Sequence, residues 1–255
     1  MLTTKMIISR PAIILFGDSI TQQGFSSAAN SAGWVGLLSN AYTRRADVFN
    51  RGFSGYNTRH AVDLLPTVFN KEMMSHPNSS TTMFVTVFFG ANDASLPGDR
   101  EHNQHVPIEE YEQNLRTIVA DIGNKLKEQK TPIILITPPP LDEQAWNKYC
   151  REEFDNLSPR SNEQSKLYGE RVKLVANDMG CSIVDSFSLL GGNGDVSAYE
   201  ECLEDGLHLS AKGNELLYDG LMDVIIRDFP HLAPKVNEDD STGIALEGAQ
   251  WKDLC

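Results

Sequence analysis

The sequence predicts an α/β fold, with helices on both faces of one parallel sheet of five strands. Short apolar runs rich in β-branched residues alternate five times with longer amphipathic segments along the 255 residues. One run, at residues 82–89, is hydrophobic at nearly every position, which is typical of a central parallel strand. Neither an internal repeat nor a linker-like change of composition interrupts the alternation. We therefore predict one domain over residues 1–232 and an acidic C-terminal tail over residues 233–255.

Three of the predicted strands lie in the first half of the chain. The first, Ala12–Phe16, is followed by a glycine-containing loop and by a helix near Trp34–Arg45, where apolar residues recur at helical spacing. Val48–Asn50 is a short second strand. A helix is predicted over Thr58–Phe69, with Thr58 as its N-terminal cap. Thr82–Phe89 is the third strand.

The second half of the chain continues the alternation. Pro107 suits the first turn of a long helix that runs to about Lys130. The fourth strand is ended by three prolines, and an aromatic-bearing connection follows it. The remaining predicted elements are the fourth strand Ile133–Thr137, a helix over Asn162–Met179, the fifth strand Ser182–Val184 and a last helix over Ser210–Phe229.

Charge and composition exclude several classes of partner. The 22 Lys and Arg residues stand against 35 Asp and Glu residues, so the net charge is −13, and this argues against binding to nucleic acid or to an anionic membrane. No apolar run approaches the length of a membrane span, and the N-terminal apolar stretch is too short for a signal peptide. The four cysteines lie far apart without metal-ligand spacing, which favours reduced thiols in a cytoplasmic protein and no metal site.

Chemically active residue types follow the ends of the predicted strands. In open parallel sheets, sites lie outside the carboxyl ends of the strands. Ser19 follows the first strand, Gly55 follows the second and Asn92 follows the third, while Asp205 and His208 come just before the last helix. Each alone is also typical of a turn or a helix cap. Their occurrence in this order favours a shared function.

Together these residues have the chemistry of acyl transfer. A serine hydroxyl needs an adjacent base, which His208 supplies if Asp205 holds its ring in place. The oxyanion that forms needs fixed donors, and the candidates are the N–H groups of Ser19 and Gly55 and the side-chain amide of Asn92.

The blocks GDSI, NRGFSGYNT, GAND and DGLH resemble the signature blocks of the GDSL/SGNH hydrolase family, in the family's order. GDSI in place of GDSL is a conservative change. Longer segments around these blocks are similar to those of isoamyl acetate-hydrolysing esterase homologues within that family. They are LFGDSITQ, RGFSGYNTR, FFGANDA, ITPPPL and DGLHLSAKGN. The resemblance implies the SGNH hydrolase fold, a flavodoxin-like three-layer αβα sandwich with a five-stranded parallel sheet. It also implies a triad of Ser19, Asp205 and His208, with Gly55 and Asn92 in the oxyanion hole.

We therefore expect a serine esterase that hydrolyses small, neutral, short-acyl esters of the acetate type through an acyl-enzyme on Ser19, without a cofactor. One alternative keeps the machinery but changes the ester to a sugar O-acetyl group, a thioester or a lysophospholipid. Another is a non-catalytic module whose Gly17–Ser19 loop binds an anion at a helix N-terminus. This last reading leaves Asp205 and His208 without a shared purpose. The expected partner is a small-molecule ester, and the family resemblance favours a homodimer.

Other residues receive secondary predictions. Asp18 and Asp93 are predicted to orient their loops through hydrogen bonds rather than to act in catalysis. Arg51 and Arg59 are predicted to be solvated or ion-paired. The candidates for lining the substrate pocket are Phe25, Trp34, Pro138, Pro139, Trp146 and Leu207. Surface or capping roles are predicted for His60, His76, His102, His105 and His231, with His105 also placed to approach the cleft.

Overall fold

The computed structural model describes residues 10–26, 31–70, 81–97, 104–127, 130–155, 159–235 and 243–244. Its sheet has five parallel strands in the order β2-β1-β3-β4-β5, which is the flavodoxin-like order. The strands are β1 (Ala12–Gly17), β2 (Asp47–Gly52), β3 (Thr82–Phe88), β4 (Ile133–Ile136) and β5 (Ser182–Val184). The predicted five-stranded parallel sheet is confirmed.

Helices connect the strands and cover the sheet. They are α1 (Ser19–Gln22), α2 (Trp34–Ala41), α3 (Thr58–Val68), α4 (Ile108–Leu126), α5 (Glu143–Phe154), α6 (Asn162–Met179), α7 (Ser186–Leu189) and α8 (Ala211–Asp228). Within the described ranges, short 3₁₀ turns lie at Val196–Ala198, Glu200–Cys202 and Pro230–Leu232.

Two hydrophobic cores lie on opposite faces of the sheet. Because side chains alternate along a strand, Ile13 and Leu15 of β1 face one core, and Ile14 and Phe16 face the other. The first core is closed by α2 and α8, and the second by α3, α4 and α6. All four of these β1 side chains are almost completely buried. The molecule is therefore the predicted three-layer αβα sandwich.

The aromatic-bearing connection after β4 is a helix, α5, which the sequence analysis did not predict. Asp142 caps it by accepting hydrogen bonds from the N–H groups of Gln144 and Ala145. Trp146 and Cys150 are its buried residues, and most of the others are polar. Trp146, Tyr149, Cys150 and Phe154 nevertheless recur at helical spacing, so this helix was open to prediction from the sequence.

The cap of α3 also differs from the prediction. Asn57 is the cap, and Thr58 is the first helical residue. The Asn57 side chain accepts a hydrogen bond from the N–H of His60, and the His60 ring accepts one from the N–H of Asn57. This reciprocal arrangement is a capping box with histidine in the position usually taken by a glutamate. The capping role predicted for His60 is confirmed.

The described part of the predicted tail packs on the domain. Pro234 and Ile244 form a parallel bridge, and Arg45 donates a hydrogen bond from Nε to the Ile244 carbonyl at 3.0 Å. The Tyr42 hydroxyl donates to the Leu232 carbonyl at 2.9 Å. The end of the segment lies outside the described residues, and the predicted boundary at residue 232 stays a prediction. None of the described helices is both long and apolar enough to cross a membrane.

Candidate active site

Ser19 stands where β1 turns into α1. The Asp18 side chain caps α1 by accepting a hydrogen bond from the Ile20 N–H at 3.0 Å. Gly17 is required here because a Cβ would lie 2.1 Å from Thr21 Oγ1 and 2.7 Å from the Phe88 carbonyl oxygen. The missing side chain at Gly17 lets the end of β1 lie against the end of β3 and places the serine at the edge of the sheet.

Hydrogen bonds tie the loops after β1, β2 and β3 together. The Phe53 N–H donates to the Gly17 carbonyl at 2.8 Å, and the Ser54 N–H donates to the Gln22 side chain at 2.8 Å. Gly55 follows with φ +79°, a left-handed conformation that favours glycine. The Asn92 amide donates from Nδ2 to the Tyr56 carbonyl at 2.9 Å. Ser19, Gly55 and Asn92 therefore lie on three mutually bonded loops.

The Ser19, His208 and Asp205 side chains form one hydrogen-bonded chain. Ser19 Oγ lies 2.9 Å from His208 Nε2, and His208 Nδ1 lies 2.6 Å from Asp205 Oδ2. Because the carboxylate can only accept at Nδ1, that nitrogen carries a proton and Nε2 is free to accept the serine proton. The geometry expected of a serine nucleophile, its base and an orienting carboxylate is met.

The Asp205 carboxylate is held from its other side by the backbone. Its Oδ1 accepts hydrogen bonds from the N–H groups of Leu207 at 2.9 Å and His208 at 2.8 Å. Burial raises the pKa of Asp205, but the hydrogen bonds and the nearby His208 ring outweigh it, and the net pKa is below its usual value. Asp205 is therefore ionised at neutral pH, and a charged carboxylate stabilises a protonated His208.

Asp18 and Asp93 are completely buried near the site and do not join this chain. Burial raises the pKa of Asp18 to about 6, against the lowering effect of the Ile20 N–H and of His208. Burial also raises the pKa of Asp93 to about 7. Asp93 Oδ1 accepts hydrogen bonds from the N–H and hydroxyl of Thr58, which fixes the start of α3 against the β3 loop. The predicted loop-orienting roles agree with these contacts.

Sequence reasoning missed Arg160 and Gln104. Arg160 is buried beside Asn92, with Nη2 3.1 Å from Asn92 Oδ1 and 2.7 Å from Gln104 Oε1. Gln104 in turn donates from Nε2 to the Gly55 carbonyl at 2.9 Å. Neither residue stands in a recognisable motif, and single polar residues in loops are ordinarily solvated.

The predicted pocket residues occupy different environments. The Trp146 ring lies 6.2 Å from the His208 ring in an edge contact. Leu207, which precedes His208 in the sequence, is buried. Phe25 is exposed, whereas Pro138 and Pro139 are buried. Trp34 is a correction. Its side chain has no exposed surface, and its Nε1 donates to the Ile20 carbonyl at 3.1 Å, so it supports α1 from the core and does not line a pocket.

The ion pairing predicted for Arg59 is met by a contact, and the histidines have varied surroundings. Arg59 forms a two-point ion pair with Glu110, with distances of 2.5 and 2.6 Å. The His105 ring donates from Nδ1 to the Ser95 carbonyl at 2.6 Å within the loop after β3. His231 lies in the last 3₁₀ turn and is exposed. His76 and His102 lie outside the described residues.

A small pocket of about 20 Å³ lies against His208, between α1 with the loop that follows it and the start of α8. Gln23, Ser26 and Glu204 form its polar wall, and Ile20 and Leu209 contribute apolar atoms. The pocket therefore offers room for a small group next to His208.

Comparison with known proteins agrees with the geometry. A family model described as GDSL-like lipase/acylhydrolase matches residues 13–221, which is most of the chain. The chain belongs to this family. Like the other members of the GDSL/SGNH family, it is a carboxylic ester hydrolase. The matched range includes Ser19, Gly55, Asn92, Asp205 and His208.

Two relatives and one solved structure illustrate the likeness. The isoamyl acetate-hydrolyzing esterase 1 homolog of Mus musculus is 42% identical over 228 residues, covering 88% of this chain and 86% of that protein. A GDSL esterase/lipase of Arabidopsis thaliana is 42% identical over 212 residues, covering 82% and 83%. The lipase/acylhydrolase from Enterococcus faecalis superposes with a TM-score of 0.63 at 27% identity, over 89% of this chain and 100% of that one.

Proposed function

We propose that Ser19, His208 and Asp205 are the catalytic triad of this esterase, and that the N–H groups of Ser19 and Gly55 and the Asn92 amide form its oxyanion hole. The observation that carries the proposal is the chain of contacts at 2.9 and 2.6 Å from Ser19 Oγ through His208 to Asp205. The Asn92 amide has two N–H groups, so one remains for substrate after the other donates to Tyr56.

The reaction follows from these positions. Ser19 Oγ attacks the ester carbonyl carbon while His208 Nε2 takes the hydroxyl proton, and Asp205 stabilises the imidazolium. The oxyanion donors stabilise the negative charge of the tetrahedral intermediate. When it collapses, His208 gives its proton to the leaving alcohol and the acyl group stays on Ser19. A water molecule, deprotonated by His208, then releases the acid by the same steps in reverse.

The proposed substrates are small, neutral esters of short acids, of the acetate type. The mouse relative is named for isoamyl acetate hydrolysis, and the pocket beside His208 is small. A series of p-nitrophenyl esters of rising acyl length, measured with wild-type enzyme and Ser19→Ala, tests the proposal. We expect kcat/KM to be highest for acetate and to fall with chain length, with no turnover by Ser19→Ala. A preference for long chains would contradict the substrate, and activity of Ser19→Ala would contradict the nucleophile.

We further propose a cytoplasmic enzyme that acts without nucleic acid or membrane partners. Among the described residues, Cys150, Cys181 and Cys202 form no disulfide, which suits a reducing compartment, and the charge of −13 disfavours polyanions. The homodimer stays a prediction. Size-exclusion chromatography with light scattering tests it, because the mass of two chains is expected and the mass of one would contradict it.

A further inference from the structure

Arg160 is a buried cation that the proposed mechanism does not use. It lies two residues before α6, and only 6% of its surface is exposed. Burial lowers the pKa of its guanidinium to about 10, so it remains charged at neutral pH. A buried charge is costly unless its donors are satisfied, so the contacts of Arg160 indicate what it does.

The guanidinium contacts the Asn92 side of the proposed oxyanion hole directly and the Gly55 side through Gln104. Its Nη1 donates to the Ala91 carbonyl, and its Nη2 donates to Asn92 Oδ1 at 3.1 Å. The same Nη2 donates to Gln104 Oε1 at 2.7 Å, and Gln104 Nε2 donates to the Gly55 carbonyl at 2.9 Å. Arg160 and Gln104 together thus connect the loop after β3 to the loop after β2.

These contacts fix which way the Asn92 amide points. A carboxamide can rotate to exchange its oxygen and nitrogen, but a guanidinium is only a donor. Asn92 must therefore present Oδ1 to Arg160, and this directs Nδ2 away from Arg160 and towards the Tyr56 carbonyl. The positive charge also polarises the amide, which makes its N–H groups stronger donors to an oxyanion.

Arg160 holds Gly55 indirectly, through the side-chain amide of Gln104. Gln104 presents its oxygen to Arg160 and its nitrogen to the Gly55 carbonyl, so the guanidinium also fixes the orientation of this second amide. Asn57 adds a hydrogen bond from Nδ2 to the Gln104 carbonyl at 2.9 Å, which holds the Gln104 backbone in place. The carbonyl of Gly55 is thereby kept on the Gln104 side at its left-handed backbone conformation.

We propose that Arg160 is a positioning residue of the oxyanion hole, which holds the Asn92 amide directly and the Gly55 loop through Gln104 in the orientation that stabilises the transition state. The inference rests on the oxyanion roles proposed above. It assigns to Arg160 no contact with substrate, and it predicts an effect on kcat with little effect on KM.

A double-mutant cycle tests this proposal. With p-nitrophenyl acetate, Asn92→Ala is expected to lower kcat by about 10²–10³-fold, the usual effect of losing one oxyanion donor. Arg160→Met is expected to lower kcat by about 10–10²-fold and to change KM by less than about 2-fold. In the Asn92→Ala background, Arg160→Met should cost less than it does alone and no more than the effect of Gln104→Leu, because the amide that Arg160 holds directly is gone and only its contact with Gln104 remains. Titration of the active sites with a fluorophosphonate gives the concentration of folded enzyme in each preparation, and every rate is divided by that concentration.

Further variants separate positioning from folding. Arg160→Lys keeps the positive charge on a single donor nitrogen, so its kcat should lie between those of Arg160→Met and the wild-type enzyme. Gln104→Leu leaves Arg160 in place and should lower kcat by about 3–10-fold. Arg171→Met is the matched control, since Arg171 pairs with Glu112 on the outer side of α6 and should leave kcat unchanged.

Three results would overturn the inference: additive losses in the cycle, an unchanged kcat in Arg160→Met, or a loss confined to KM. If Arg160→Met yields no folded enzyme, unchanged kcat in both Arg160→Lys and Gln104→Leu would overturn it as well. An unchanged kcat in Asn92→Ala would instead reject the proposed oxyanion role of Asn92.

Discussion

Ser19 and His208 are 189 positions apart in sequence, yet their reacting atoms lie 2.9 Å apart. Sequence reasoning could select both because Ser19 follows a strand and His208 precedes a helix, and strand ends of a parallel sheet meet at one edge. Arg160 and Gln104 could not be selected in this way. Their contacts with Asn92, Trp146 and Gly55 form only in the folded chain, and no spacing in the sequence encodes them.

Asp93 is a buried carboxylate that makes the stability of the folded protein depend on pH. Burial raises its pKa to about 7, above the usual value of 3.8, and the nearby Asp18 carboxylate adds to the effect. Between about pH 4 and pH 7 the folded protein therefore keeps a proton that the unfolded chain has lost. Stability from this group is complete below pH 4 and is lost as the pH rises through 7.

We expect Asp93→Asn to remove this pH dependence. Asparagine keeps an acceptor for the Thr58 N–H and hydroxyl but cannot ionise. The variant should melt at least about 3 °C higher than wild type at pH 8, with the difference closing towards pH 5. Thermal melts across this range measure it, with the exposed Asp63→Asn on α3 as control. A difference that does not vary with pH would contradict the prediction.

At the scale of elements, the strands could be predicted from the sequence, whereas the helix in one connection was not predicted. Every predicted strand end lies within two residues of the observed one, and β1, β3 and β4 are recognisable because they are buried, continuous apolar runs. The helix α5 was missed although Trp146, Tyr149 and Cys150 recur at helical spacing, because most of its other residues are polar and it directly follows three prolines. Yet α5 matters for the site, since the Asp142 N–H donates to the Gly206 carbonyl at 2.9 Å and so docks the Asp205–His208 turn.

Gly206 is the position where this docking is most sensitive. Its φ is +95°, and a Cβ there would lie 2.4 Å from the Trp146 nitrogen and 2.6 Å from the Asp142 carbonyl oxygen. We expect Gly206→Ala to displace the turn, lowering kcat by about 10-fold or more and stability by about 1–3 kcal/mol. Measured kcat and urea midpoints test this.

Gly123→Ala in α4 is the matched control. A Cβ at Gly123 meets nothing within 4 Å, and alanine suits a helix better, so this variant should gain up to about 1 kcal/mol and keep full activity. If Gly206→Ala behaves like Gly123→Ala, the docking of the turn on α5 does not hold His208 in place.

At the scale of the whole molecule, the charge of −13 acts on what approaches the site. Glu204 is exposed and lines the same small pocket as His208, so one of the negative charges lies near the site. A field of this sign repels anions and leaves neutral esters unaffected, and salt screens it over about 10 Å at 0.1 M.

We therefore expect an ester with an anionic alcohol, such as 4-carboxyphenyl acetate, to be used less efficiently than phenyl acetate at low salt. Its kcat/KM should rise several-fold between about 10 mM and 0.5 M NaCl, while that of phenyl acetate stays constant. Glu204→Gln should narrow the low-salt gap. A ratio of the two kcat/KM values that is independent of salt would show that surface charge does not select the substrate.

The central claim is that Ser19 is the nucleophile, and covalent labelling tests it most directly. A fluorophosphonate reacts with a serine activated by a base. Peptide mass spectrometry should find one label per chain, on the peptide that contains Ser19, and the loss of p-nitrophenyl acetate hydrolysis should match the labelled fraction. Ser19→Ala should take up no label. Full labelling with activity retained, or a label on a different residue that accounts for the inactivation, would contradict the claim.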